Sequence, residues 1–171
     1  MQELKGEKTI LAQEIEVITP WPAYFPETYI ADTTLRLKYY KRLASCRELA
    51  ALINLEEELQ DAYGPLPVPA QTLLTILQAK ITLRPLGVQE IRVQPPQVIL
   101  KFAPHLVDAR PSLRNKMADF FLGHKKRYQF KGAYEVAYTA PENEFAETHL
   151  VPWATDLVQN LWPPEENLAK T

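Results

Sequence analysis

The chain has 171 residues, of which 46% are hydrophobic and 23% are charged, which is typical of one compact globular domain and excludes a disordered chain. Its formal net charge of -2 at pH 7 lacks the basic excess with which duplex-binding domains neutralise phosphates. The single cysteine, Cys46, excludes an internal disulfide and a cysteine-based metal cluster, and it fits a reducing compartment. No apolar run is long enough to cross a bilayer and Met1–Lys8 is polar, so we expect a cytoplasmic protein without membrane contact.

The first predicted elements are a strand and an extended segment. Residues 14–18 alternate polar and apolar side chains, as a half-buried strand does. Residues 21–26 contain two prolines and three aromatic residues, which predicts an extended segment whose rings are buried against the rest of the domain. With 15 prolines against five glycines, the sequence favours elements with fixed ends over glycine-rich loops that wrap a ligand.

Two amphipathic helices follow. Asp32 is a suitable N-cap for the first helix, whose outer face is basic. Residues 45–48 have the spacing of a capping box, which predicts the start of a second helix that ends at Gly64. The expected inner positions are Leu35, Tyr39 and Leu43 in the first helix and Leu49, Leu52, Leu55, Leu59 and Tyr63 in the second.

The middle of the chain predicts a third helix and a hairpin. Pro69 suits the first turn of this helix, which continues to Ile81 and closes before Gly87. Two short apolar runs then predict strands at residues 91–93 and 98–102. The turn between them contains two prolines and lacks the glycine of a tight hairpin.

The last third of the chain predicts a helix, a hairpin and a final helix. The first of these covers residues 112–122, and the hairpin turns across residues 131–133 with aromatic side chains on both strands. The final helix has its inner residues within 150–161. Helices and hairpins in blocks, without strict βαβ alternation, favour an α+β fold of mixed helices and short antiparallel hairpins in one compact domain.

Residues that could support catalysis are sparse. The five glycines form neither a phosphate-binding loop nor a dinucleotide-binding motif. His105, His124 and His149 lack metal-binding spacing, and Cys46, on a lysine- and arginine-rich helix, is an isolated cysteine, which is more often inert than part of a nucleophilic pair with histidine. A small hydrolase built from scattered carboxylates and histidines stays an alternative, and it predicts a deep pocket with strongly shifted pKa values.

One basic cluster, Lys125, Lys126 and Arg127, is followed by Tyr128 and Phe130. Cations beside aromatic rings are the components of a single-strand-binding surface, so this strip predicts a nucleic-acid-binding module as an alternative function. The other interpretation is a solvated strand end whose charges keep the edge from pairing with other chains. The small number of cations favours this second interpretation, and we expect no direct nucleic-acid partner.

The densest acidic cluster lies on the second predicted helix. Its members are Glu56, Glu57, Glu58 and Asp61. Glu58 and Asp61 stand three residues apart on one helix face, where they can bind one arginine of a partner together. The alternative is an ordinary solvated helix face.

Three segments of the chain carry a family resemblance: Tyr29–Asp32 (YIAD), Leu35–Ala44 (LRLKYYKRLA) and Glu58–Pro67 (ELQDAYGPLP). They resemble the C-terminal domain of bacterial transcription-repair coupling factors. The family pattern at the same spacing is close to YIPD, YKRLA and DRFGPLP, and Lys80 with Leu86–Val88 resembles its later lysine and LG(I/V). The resemblance is specific from about Ile15 to Phe102, and beyond that point it rests on the order of the elements.

The resemblance implies a regulatory part of a larger ATP-driven DNA translocase that displaces stalled RNA polymerase and recruits excision repair. In the family this domain docks on the UvrB-like N-terminal module of the same protein and masks the surface that binds UvrA. UvrA and RNA polymerase are then partners only through the parent, whose motor domains bind ATP and Mg²⁺. For this fragment the resemblance implies no cofactor and no catalysis. The family's acidic contacts fall on Glu58 and Asp61.

The same resemblance divides the chain and marks where it departs from the family. Residues 1–12 are expected to be a linker from the preceding translocase region, residues 13–165 the C-terminal domain, and residues 166–171 a frayed tail. Ala62 and Tyr63 stand where the family usually has arginine and phenylalanine. Any contact made by that arginine is therefore lost.

Overall fold

The computed structural model of the chain describes residues 15–162, so the predicted linker and tail lie outside the described residues. The strands are Glu16–Ile18 (β1), Val88–Gln94 (β2), Gln97–Phe102 (β3), Tyr128–Gly132 (β4) and Glu135–Thr139 (β5). The α-helices are Thr33–Ala44 (α1), Leu49–Tyr63 (α2), Val68–Leu83 (α3), Pro104–Asp108 (α4), Pro111–Gly123 (α5) and Glu147–Leu161 (α6). Short 3-10 helices lie at Arg84–Leu86 and Pro141–Asn143. The expected α+β class is confirmed.

The five strands form one mixed sheet in the order β1-β2-β3-β5-β4. β1 pairs in parallel with β2, and the other neighbours are antiparallel. The hairpin of β2 and β3 closes with Gln94 opposite Gln97, so the predicted turn is confirmed. β4 lies at the open edge with Tyr128 opposite Tyr138, which confirms the predicted aromatic pairing.

The larger core is formed by the sheet with α3, α5 and α6. Ile91 of β2 and Leu100 of β3 are fully buried in it, as is Leu157 of α6. The indole N–H of Trp153 donates to the Tyr128 hydroxyl at 3.0 Å. This hydrogen bond ties α6 to the edge strand and satisfies a buried polar group on each side.

A second core is formed by α1, α2, the first half of α3 and the extended segment at residues 21–30. Phe25 is 2% exposed, and its backbone N–H donates to the Tyr40 hydroxyl at 2.7 Å. α3 belongs to both cores, since Leu74 packs in this one and Leu83 in the larger one. The helical hairpin of α1 and α2 is therefore joined to the sheet through α3.

The start of α2 differs from the prediction. Asp32 caps α1 as expected, since its side chain accepts from the Leu35 N–H at 3.1 Å. Ser45, predicted to open a capping box, is instead the C-cap of α1, and its hydroxyl lies 2.9 Å from the Arg42 carbonyl. α2 begins after Glu48, whose side chain makes no cap hydrogen bond. Because α2 starts at Leu49, Ser45 does not directly precede its first turn and is not placed to accept from its free amides.

Three of the apolar positions predicted to be inner are largely accessible. Tyr24 is 47% exposed, and Leu35 and Leu49 are each 39% exposed. Leu35 and Leu49 lie in the first turns of α1 and α2, where the apolar stripe no longer faces a neighbouring helix. Tyr24 precedes the buried Phe25 in the extended segment, and successive side chains of an extended chain point to opposite sides. The short helix α4 is an element that the sequence did not predict, because five residues contain too little of a periodic pattern.

Two glycines have backbone angles that other residues adopt only with strain. Gly64, which ends α2, has φ 87° and ψ -170°, and Gly87 has φ 78° with the Leu106 Cβ only 3.3 Å from where its own Cβ would be. We expect Gly64→Ala and Gly87→Ala each to lower the free energy of unfolding by about 1–3 kcal/mol. Gly132→Ala is the control, because its Cβ would meet nothing closer than 4.0 Å. Urea denaturation measures all three, and an unaffected Gly64→Ala variant would contradict the assigned backbone.

Candidate protein-docking site

The candidate site lies on the outer side of α2. Leu52, Leu55 and Leu59 are 3%, 4% and 0% exposed, because this stripe packs into the second core. The acidic residues of the helix therefore face outward. The Glu58 side chain is 45% exposed and Asp61 is exposed as well.

Tyr29 positions the end of this helix from the extended segment. Its hydroxyl lies 2.8 Å from the Gly64 carbonyl oxygen and 3.2 Å from the Leu59 carbonyl oxygen. The last carbonyls of a helix lack partners within the helix, so this hydroxyl helps to satisfy them. The Tyr29 ring also packs on Tyr63, with 5.7 Å between the centroids. The last turn of α2, which carries Asp61, is thereby fixed against the segment.

Glu58 is already bound to an arginine of its own domain. Both carboxylate oxygens accept from the Arg42 guanidinium of α1, with Nη2 to Oε1 at 3.0 Å and a close contact between Nη1 and Oε2. The Arg42 guanidinium also lies 5.4 Å from the centre of the Tyr39 ring. The sequence predicted that Glu58 and Asp61 bind one arginine of a partner, and this stays a prediction. Within the domain, Arg42 contacts Glu58.

The electrostatics of this pair follow from the hydrogen bonds. Hydrogen bonding from Arg42 is the main cause that holds the pKa of Glu58 below its ordinary value, and the same contact raises the pKa of Arg42. The Tyr39 hydroxyl and the charge of Lys38 act on Glu58 in the same direction. Because both side chains are about half exposed, the pair contributes little to stability and can exchange partners.

Asp61 differs from Glu58 in having no such partner. Among residues 15–162 it makes no ion pair and no side-chain hydrogen bond, and it lies one turn beyond the Arg42–Glu58 pair on α2. Ile53, one of the large apolar residues that stay exposed, is 52% exposed on the same helix. The outer side of α2 thus presents a solvated carboxylate, a paired carboxylate and an apolar side chain, a combination suited to a protein partner.

The basic strip lies later in the chain, in the residues just before β4 and in the first half of that strand. Lys125, Lys126 and Arg127 are exposed, and Phe130 is 42% exposed. Tyr128 is 8% exposed, because its ring packs against Phe120 and Phe121 of α5 and its hydroxyl accepts from Trp153. The strip therefore offers one accessible aromatic ring beside its cations.

The remaining candidates for chemistry are the Cys46 thiol and the histidines. Burial raises the pKa of the Cys46 thiol, which makes it a weaker nucleophile, and its Sγ lies 3.4 Å from the Arg42 carbonyl oxygen. The His149 ring accepts from the Ala146 N–H at 2.9 Å, a capping role. Within residues 15–162 no group of three or more His, Cys, Asp or Glu could hold a metal ion. No helix in that range is long and apolar enough to span a membrane.

The hydrolase alternative predicts a deep pocket with strongly shifted pKa values, and one apolar cleft of the domain does not match it. This cleft has a volume of about 170 Å³ and lies between α5 and the hairpin of β4 and β5. Its polar groups bind one another, since the Tyr134 hydroxyl donates to Asp108 at 2.7 Å and Arg114 lies 3.5 Å from the same carboxylate. The lining contains no histidine, cysteine or serine.

Comparison with known protein families shows which family the chain belongs to. The TRCF domain family matches residues 19–110, a span that contains both α1 and α2. The chain belongs to this family.

Its relatives specify which proteins carry such a domain. The chain is 33% identical over 94 residues to the transcription-repair-coupling factor of Escherichia coli (strain K12), covering 55% of this chain and 8% of that protein. It is 31% identical over 93 residues to the same factor of Bacillus subtilis (strain 168), covering 54% of this chain and 8% of the relative. The chain therefore spans less than a tenth of the length of these relatives.

The fold agrees with a solved structure, the crystal structure of the C-terminal domain of a transcription-repair coupling factor. The TM-score is 0.67 over 86% of this chain and 94% of that one, at 22% sequence identity. The likeness extends to the second half of the chain, where the sequence alone supported only the order of elements. The predicted family is confirmed.

The contact between Arg42 and Glu58 predicts how the pKa of the Glu58 carboxyl responds to loss of Arg42. We expect Arg42→Gln to raise the pKa of the Glu58 carboxyl toward its ordinary value, because the main hydrogen-bond donor is removed. Carboxyl-detected NMR measures this pKa in wild type and variant, with Lys41→Gln on the same helix as the control. Since the folded-state pKa is the lower one, the stability that the pair contributes is present at neutral pH and is lost as the pH falls through that pKa. Equal Glu58 pKa values in wild type and Arg42→Gln would contradict the pair.

Proposed function

We propose that this domain is the autoinhibitory docking domain of a transcription-repair coupling factor. It binds the UvrB-like N-terminal module of the same protein through Glu58 and Asp61, and it covers the surface that UvrA uses in transcription-coupled excision repair. The observation that supports this proposal is the outward-facing acidic helix, whose Glu58 is already held in a geometry that binds a guanidinium. The partner is therefore an arginine-bearing surface.

The docking interface has to be released, so it needs only a modest binding free energy. A lock needs only to favour one state of the parent by a few kcal/mol, because a preference of about 5.5 kcal/mol already shifts a two-state equilibrium from 1:99 to 99:1. Docking within one protein also benefits from a high effective concentration, so a weak interface suffices. Exposed charge pairs exchange readily, whereas a large apolar interface would be difficult to release.

Arg42 gives this interface an internal competitor. An incoming arginine that seeks Glu58 meets a carboxylate whose two oxygens are both bound to Arg42. It must displace Arg42 or share the carboxylate with it, while Asp61 remains accessible throughout. We propose that Asp61 makes the first contact and that Glu58 is exchanged from Arg42 to the partner.

The proposal gives this domain no chemistry of its own. UvrA and RNA polymerase act on it only through the parent, and ATP with Mg²⁺ belongs to the parent's motor domains. The expected consequence of releasing the domain is an exposed UvrA-binding surface, with the translocase itself unaltered in its chemistry.

Removal of both carboxylates tests the docking site. We expect Glu58→Ala/Asp61→Ala to weaken binding to the separately expressed UvrB-like module by more than about tenfold, because both arginine contacts are lost. Isothermal titration calorimetry measures the affinity. Glu27→Ala/Glu48→Ala removes the same charge from exposed positions elsewhere and should leave the affinity within about twofold. Wild-type protein that fails to bind at high concentration would overturn the proposed function.

Removal of the competitor tests the exchange. We expect Arg42→Gln to bind the same module a few-fold more tightly, since the exposed ion pair with Glu58 no longer has to be broken. Calorimetry with wild type and Lys41→Gln provides the comparison. A weaker affinity for Arg42→Gln would mean that Arg42 orients Glu58 for the partner and does not compete for it.

A further inference from the structure

Among residues 15–162, the edge strand β4 has no strand paired on its outer side. Gln129 lies opposite Ala137, and the Arg127 carbonyl accepts from the Thr139 N–H at 2.8 Å. Hydrogen-bonded and non-bonded positions alternate in an antiparallel pair, so the backbone N–H and C=O of Phe130, which lies just before the register shift between Phe130 and Gly132, point away from β5. An extended polypeptide can add to such an edge through main-chain hydrogen bonds.

The groove beside this edge combines positive charge with apolar surface. Its volume is about 520 Å³, and its lining includes Lys125, Lys126 and Arg127 but no acidic residue. Leu122 and Phe130, which line the same groove, are 53% and 42% exposed. The sequence has no Asp or Glu from His124 to Tyr134, so the local field is positive although the chain as a whole is slightly acidic.

We propose that β4 and this groove, formed by Leu122, Lys125–Arg127 and Phe130, bind an extended acidic segment of a partner protein by strand addition. The main chain of the segment pairs with the Phe130 N–H and C=O. Its carboxylates bind Lys125, Lys126 and Arg127, and an apolar side chain lies between Leu122 and Phe130. This surface is separate from α2, so it provides a second contact that does not depend on the proposed docking site.

The geometry favours a polypeptide over a nucleic-acid strand as the occupant. Single-strand-binding surfaces stack successive bases on several aromatic rings. Here Tyr128 is 8% exposed, and Phe130 is the accessible ring. Phe130 presents one backbone donor and one backbone acceptor outward, which the C=O and N–H of a peptide match, whereas a phosphodiester backbone has no donor for the Phe130 C=O. Three clustered cations also give a nucleic acid only weak, strongly salt-dependent binding.

The test uses the full chain and a fluorescein-labelled peptide that alternates glutamate with valine and phenylalanine. We expect saturable binding by fluorescence anisotropy, weakened about tenfold or more by Lys125→Glu/Lys126→Glu because the cationic wall is reversed. Lys41→Glu/Lys38→Glu makes the same change in net charge on α1 and should leave binding within about twofold.

Two further probes separate strand addition from charge attraction. The same peptide with N-methylated backbone amides keeps its carboxylates but loses its donors, so we expect it to bind much more weakly. In ¹⁵N-edited NMR the Phe130 amide should shift downfield and become protected from exchange when the unmethylated peptide binds. Equal binding of methylated and unmethylated peptides, or an unprotected Phe130 amide, would overturn strand addition.

A single-stranded oligothymidylate is the remaining probe. We expect it to bind more weakly than the acidic peptide at the same salt concentration. Oligothymidylate binding that Lys125→Glu/Lys126→Glu removes, with no binding of the acidic peptide, would overturn the proposal and assign the strip to nucleic acid. Loss of docking through Glu58 and Asp61 would leave this result unaffected, because the two surfaces share no residue.

Discussion

Helix α3 buries apolar residues in two cores at once, and the arrangement of the whole domain depends on that constraint. Leu74 packs with α1 and α2, whereas Ala79 and Leu83 pack with the sheet and α6. A helix is stiff over this length, so the hairpin of α1 and α2 is held at a defined position relative to the sheet. The acidic side of α2 and the basic edge at β4 are consequently two fixed surfaces of one body.

Much of this architecture is local in origin and could be predicted. Asp32 caps α1, Gly64 ends α2, and Tyr128 pairs with Tyr138, because each of these features depends on residues close in sequence or on a two-residue period. The family motif likewise directed attention to Glu58 and Asp61, which lie where a partner can reach them.

The features that escaped prediction depend on how elements pack. Arg42 and Glu58 are 16 residues apart on different helices, so their contact follows from the angle between α1 and α2. The basic outer face of α1 indicated that its cations could pair with the acidic residues of α2, but it did not indicate which cation contacts which carboxylate. Ser45 was misassigned for a related reason, since its hydroxyl is used by the helix before it. The charges before β4 had suggested a sheet edge, but the strand order that places β4 there, and so its open backbone, follows from how the strands pack.

The hydroxyl of Tyr29 couples two segments that are distant along the chain. It lies against the carbonyl oxygens of Leu59 and Gly64, which are 30 and 35 residues further on, so this contact also closes a long loop. The turn that carries Asp61 is therefore held by a segment that precedes α1. A displacement of that segment would be transmitted to the acidic end of α2, although neither Tyr29 nor its neighbours belong to that helix.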